Sequence, residues 1–231
     1  MEWNNQPSLD PSLTPSQVLA DVSAQSFMSR VFMWMTAGLG VTAATAVFTA
    51  MNPDVFAAAM TWSLPLILLQ LGLVLVLSGL APRLSAAVAG ALFLAYSALT
   101  GLTLSWIFYR YHLGSVATAF AISGGTFGAL SLYGTVTKKD LSAWGTFLFM
   151  GLVGILIAGV VNIFVRSEAI SFVSSCAGVL VFAGLTAYDT QKLRQYHAAM
   201  GASGAVRGAL VLYLDFLNLF LSILRLMGRR R

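Results

Sequence analysis

Residues 144–165 read Trp144-Gly145-Thr146-Phe147-Leu148-Phe149-Met150-Gly151-Leu152-Val153-Gly154-Ile155-Leu156-Ile157-Ala158-Gly159-Val160-Val161-Asn162-Ile163-Phe164-Val165. These 22 residues carry no charge, and Asn162 is their one strongly polar side chain. A helix rises about 1.5 Å per residue, so a run of this length covers a hydrocarbon core roughly 30 Å thick. Working outward, comparable runs occupy Phe27 to Ala50, Trp62 to Leu80, Leu84 to Phe108 and Gly114 to Val136, then Ala169 to Thr190 and Gly208 to Leu226. Seven spans of about 20 residues use roughly 140 of the 231 positions, which leaves a tail and short loops.

Composition agrees. The chain is 58% hydrophobic and 9% charged, with a mean hydropathy of +0.83. A soluble domain is about 45–50% apolar and about 25% charged. Alternating ten-residue patterns of an outer-membrane barrel are absent, as is any internal repeat beyond shared apolar composition. These readings predict an all-α integral membrane protein with seven transmembrane helices and no soluble domain of any size. Residues 1–26 read as a polar, flexible tail, 27–228 as the transmembrane domain, and 229–231 as a basic end. The tail holds Pro7, Pro11 and Pro15 and no Lys or Arg, so it lacks the basic start of a signal peptide, and the first span is expected to be retained.

The net charge is +5 and the pI about 9.7. The cations lie between apolar segments, where they set topology and meet lipid headgroups, so nucleic acid is excluded as a partner. With the N-terminus in the cytoplasm, Arg30, Arg83, Lys138, Lys139, Lys192, Arg194 and Arg207 fall inside, and Arg110 and Arg166 outside. Arg225, Arg229, Arg230 and Arg231 then fall outside after seven crossings. A re-entrant last segment, giving six crossings, would instead put them inside. Cys176 has no cysteine partner and reads as a packing residue. His112 and His197 read as interfacial. Glycines such as Gly38, Gly90, Gly124, Gly125 and Gly128 read as surfaces for close helix packing.

Two carboxylates break the rule that charges sit at span ends. Asp189 lies in Leu185-Thr186-Ala187-Tyr188-Asp189-Thr190-Gln191, and Asp215 in Leu212-Tyr213-Leu214-Asp215-Phe216-Leu217-Asn218. An Asp near the bilayer centre costs about 2.5–3.5 kcal/mol on insertion scales, so it takes a partner or a wet cavity. Asp189 is expected near the end of its helix, where the macrodipole disfavours an anion. Asn218, Ser222 and Arg225 follow Asp215 on one helical stripe, expected to face the bundle interior. Alternation of the spans puts Asp189, Asp215 and Arg83 towards one membrane face. If the two carboxylates meet, they cannot easily both ionise, and the pair holds a proton near neutral pH. Their oxygens are also hard ligands that could hold Ca²⁺. The alternative is that both only bond neighbouring helices and fix packing. No Gly-x-Ser-x-Gly, His-Glu-x-x-His or Gly-x-Gly-Asp pattern is present, so an enzyme is not expected, and no resident cofactor.

At these residues the chain resembles the Bax inhibitor-1 family, also called the transmembrane Bax inhibitor motif family, and most of all its bacterial inner-membrane members. The matching stretches are Tyr96-Ser97-Ala98-Leu99-Thr100-Gly101-Leu102-Thr103-Leu104, Ser131-Leu132-Tyr133-Gly134, Lys138-Lys139-Asp140-Leu141, and the segments around Asp189 and Asp215 through Asn218-Leu219-Phe220. The resemblance implies six helices around a central, relatively polar seventh. It implies a pH-sensitive calcium leak in which the positions of Asp189 and Asp215 form the sensor and that of Arg83 latches the closed state. Protons and calcium ions are then the small partners. Some bacterial relatives instead look like modulators of a membrane-bound protease, so the second functional expectation is a regulator that binds another membrane protein.

Overall fold

The computed structural model describes residues 14–80 and 83–229, and these are helical almost throughout. Hydrocarbon offers no water to backbone groups, so a chain this apolar must close its N–H and C=O bonds within helices. In order, the elements are α1 (Pro15–Met51), α2 (Pro53–Thr61), α3 (Ser63–Gly79), α4 (Ala86–Leu104) and α5 (Ile107–Arg110). There follow α6 (Leu113–Val136), α7 (Ser142–Val165), α8 (Glu168–Tyr196) and α9 (Gly204–Met227). Among the described residues, six helices are long and apolar enough to cross a membrane unaided, and the bent pair α2–α3 counts as a seventh if it is one span.

Two expected boundaries move. The tail expected over residues 1–26 is helical from Pro15, where proline's preset φ suits the first position of a helix. Ala24 is buried there, so packing holds the polar extension in place. The remainder of that tail, residues 1–13, lies outside the described residues, as do Arg230 and Arg231 of the basic end. The sixth span does not stop at Thr190: α8 runs to Tyr196. Asp189 therefore sits two turns inside its helix, beyond the last turn in which the dipole acts strongly.

The second span is broken. Its two halves meet at Trp62 with a bend of 72°. Pro65 explains it: the ring crowds the carbonyl of residue 61 and has no N–H to bond it. The bend leaves open whether this segment crosses or turns back, and its neighbours decide. Gly90 of α4 lies against Trp34 of α1, Gly38 against Phe93 and Ser97, and Gly101 against Thr42 and Thr45. Residue numbers rise together along both helices, so α1 and α4 run parallel. The chain must therefore return from the end of α1 to its starting level before α4 begins, and α2–α3 makes that passage.

The other helices alternate. Asp21 of α1, Thr135 of α6 and Arg194 of α8 meet at one end of the bundle, the near face. The backbone N–H of His112 bonds the Arg229 carbonyl, and Tyr109 bonds Ala50, at the other end, the far face. The chain thus makes seven passages, with α1 starting at the near face and α9 ending at the far face. The last helix is not re-entrant. It is one unbroken helix of 24 residues.

Fifteen of the 24 residues in α9 are buried, against Leu148 alone in α7. α9 packs on α1, α4, α6 and α8, whereas α7 packs mainly on α8. Contacts do not place all six other spans around α9, because α7 stands outside α8. Tyr213 anchors the core: its hydroxyl is 2.6 Å from that of Thr42, which also donates to the Ser97 carbonyl at 2.9 Å. Phe93 and Tyr96 meet its ring edge-on.

Candidate functional site

The seam between α8 and α9 carries the two carboxylates. These helices are antiparallel neighbours, and their register is set where no side chain intervenes. Gly178 sits directly against Ser222, and Gly208 against Leu193. In that register Asp215 faces residues 185–186, which puts it about one helical turn from Asp189, 26 residues away in sequence. Their carboxyl groups lie within hydrogen-bonding reach of one another. Asp215 is 5% exposed, and its Oδ2 has no partner among the described residues. Asp189 is half-buried.

A carboxylate only accepts hydrogen bonds, so a bond between two carboxyls requires one of them to carry a proton. A bond of this kind can tie two helices only while one of its carboxyls is protonated. Lys192, one turn beyond Asp189, is the cation acting on that carboxyl. Its Nζ donates to the Tyr188 hydroxyl at 2.9 Å.

The other expected site residues fall elsewhere. Arg83 is exposed, in the turn that leads to α4, and makes no ion pair among the described residues. The structure does not bring it to the aspartates. Its turn lies at the near face, whereas Asp189 is seven residues inside α8, roughly 10 Å from the helix end. Asn218 donates to the Leu214 carbonyl at 2.8 Å, and Ser222 to the Asn218 carbonyl at 2.7 Å. Both side chains are turned back onto their own helix, and Ser222 meets Gly178 of α8 at the seam.

No group of three or more His, Cys, Asp or Glu residues able to hold a metal occurs among the described residues. Ca²⁺ takes six to eight oxygen ligands. The pair offers at most four, so by itself it is no finished calcium site, and an ion meeting it would retain part of its water.

Three contacts were not legible from sequence. Arg194 donates to the Thr135 carbonyl and, at 3.2 Å, to Asp21 Oδ1, and so clasps α1, α6 and α8 together. Asp21 lay in a segment read as tail, which hid the pairing. His197 Nδ1 donates to the Arg194 carbonyl at 2.8 Å, while Nε2 is 2.9 Å from the Ser23 hydroxyl. The histidine is thus a second tie between α1 and α8. Gln191 bonds both sides of the α6–α7 loop, accepting from the Leu141 N–H and donating to the Lys139 carbonyl.

The fold and the seam define a multi-pass helical membrane protein with an intramembrane carboxyl pair. The chain belongs to the Bax inhibitor-1 family: residues 24–231 match the family model described as "Inhibitor of apoptosis-promoting Bax1". It is 49% identical over 225 residues to an uncharacterised protein of Deinococcus radiodurans, covering 95% of this chain and 96% of that one. It is 47% identical over 217 residues to the inner membrane protein YbhL of Escherichia coli K12, covering 90% and 93%. An uncharacterised protein of Borreliella burgdorferi is 45% identical over 214 residues, covering 89% and 92%.

Proposed function

We propose that the chain is a calcium leak channel gated by the proton shared between Asp189 and Asp215, in a bacterial inner membrane with the near face cytoplasmic. The observation that carries this reading is the carboxyl–carboxyl contact at the α8–α9 seam with one Asp215 oxygen left unpaired. With the proton present, the two groups join the helices. When the proton leaves, two like charges face each other where water is scarce. At about 4 Å and an effective dielectric near 20, their repulsion is about 4 kcal/mol. That is enough to shift a two-state equilibrium by about a thousandfold. The seam is then the element through which pH acts on the pathway.

Placement supports the orientation. Of the 13 Lys and Arg, seven lie towards the near face: Arg30, Arg83, Lys138, Lys139, Lys192, Arg194 and Arg207. Arg110, Arg166, Arg225 and Arg229 lie towards the far face, and Arg230 and Arg231 lie outside the described residues. All three lysines are near-face residues. The basic bias of the loops therefore favours a cytoplasmic near face. The inner-membrane assignment rests on the printed name of the Escherichia coli relative.

The test is Ca²⁺ flux into proteoliposomes over a pH series, for wild type, Asp189→Asn and Asp215→Asn. A pH-dependent flux in wild type that becomes pH-independent in both variants is expected. Flux that keeps its pH profile in both would overturn the gate. No flux at any pH from folded, inserted protein would overturn the channel and leave the regulator of another membrane protein as the better reading.

A further inference from the structure

We propose that the crevice between α1 and α6 is a binding site for one anionic phospholipid. The two helices make few contacts with each other, and between them opens a cavity of about 1100 Å³ at the near face. Its walls run from Asp21 to Phe32 on α1 and from Lys138, just past the end of α6, back to Phe127 on α6. Eleven helical steps on the α1 wall make it roughly 16 Å deep.

Polarity changes along that depth. The charged groups Arg194, Lys138 and Asp21 line the mouth, while the deeper part is uncharged, with Met28, Phe32, Phe127 and Leu132 and the hydroxyls of Ser29 and Ser131. This is the polarity order of a phospholipid entering headgroup last. Charge selects the class of headgroup. Asp21 is already paired with Arg194, and Lys138 makes no ion pair among the described residues. The mouth thus has one positive charge in excess, which favours a phosphate diester with no compensating ammonium. The same excess disfavours a divalent cation, so the crevice is a poor entrance for calcium. The proposal stands whether or not the chain conducts ions.

Gly128 provides a clean probe. A Cβ built there meets no atom of another helix within 4 Å and Gly128 lines the crevice, so the first atom of a Gly128→Phe side chain points into open space. The experiment is native mass spectrometry of the full chain from micelles doped with equal phosphatidylglycerol and phosphatidylcholine. Wild type is expected to retain one phosphatidylglycerol in preference to phosphatidylcholine. Lys138→Gln, an exposed change that leaves the fold alone, should cut that preference about fivefold, the contribution of one basic residue at an anionic surface. Gly128→Phe should remove the bound lipid. Equal retention of the two lipids by wild type overturns the proposal. So does unchanged phosphatidylglycerol retention in both variants, or a lipid-free dimer, which would put a second copy in the crevice.

Discussion

A polar atom without a partner costs free energy wherever water is excluded, and Asp215 carries one in the middle of α9. The neighbouring carboxyl of Asp189 can satisfy Asp215 only through a shared proton. Asp215→Asn removes that condition, because an amide donates at any pH. Wild type should therefore lose thermal stability once the pH is raised far enough to remove the shared proton, since the contact survives only while the proton is held. Asp215→Asn should melt at a nearly constant temperature across the same range, followed by circular dichroism in detergent. The Asp21–Arg194 pair belongs to the same scale and is weaker. Its side chains are 60% and 38% exposed, and exposed pairs contribute at most about 1 kcal/mol. A double-mutant cycle with Asp21→Asn and Arg194→Gln should give a coupling below that figure. Hydrogen exchange should nonetheless speed up across residues 15–26, because the pair helps to dock that extension.

Among the elements, helix contacts sort the glycines that sequence alone treats alike. Gly134 of α6 sits against the Ala187 carbonyl of α8, and Gly38 and Gly90 let α1 and α4 close on each other. Gly124, Gly125 and Gly128, expected to pack as well, face open space. Gly134→Ala should therefore destabilise by about 1–3 kcal/mol, as overpacking does. Gly124→Ala should leave stability unchanged or raise it. Reversible unfolding of the two variants in mixed micelles separates these outcomes. At the start of α7, Asp140 Oδ1 accepts from the Ser142 N–H at 2.9 Å. That backbone bond holds the Asp140 carboxyl below the usual carboxylate range. A depressed carboxyl contributes stability above its unfolded pKa and loses it as pH falls through the folded value. The small melting difference between wild type and Asp140→Asn should accordingly vanish in acid.

For the whole molecule, the parallel run of α1 and α4 makes the number of passages odd. Reporters fused before residue 1 and after residue 231 should thus give opposite accessibility in intact cells. Equal accessibility would mean that α2–α3 turns back within the membrane. The apolar runs, the helical class and the two out-of-place carboxylates were legible in the chain, because each depends on composition within one segment. The Asp189–Asp215 contact was legible only as a conditional, since alternation places both towards one face without bringing them together. Arg83 was matched by likeness of motif, and in this structure the arginine that ties helices is Arg194.

The sequence by itself determined that this protein crosses a membrane as a set of helices, because the length of an apolar run is a local property read against a fixed hydrocarbon thickness. Only the tertiary structure decided which helices touch, that α9 is the most enclosed and α7 among the least, and that the broken second span completes its passage. In lipid, buried and outward-facing side chains are both apolar. Periodicity therefore does not mark the inner face of a helix, and neighbours are chosen by close packing between segments far apart in the chain.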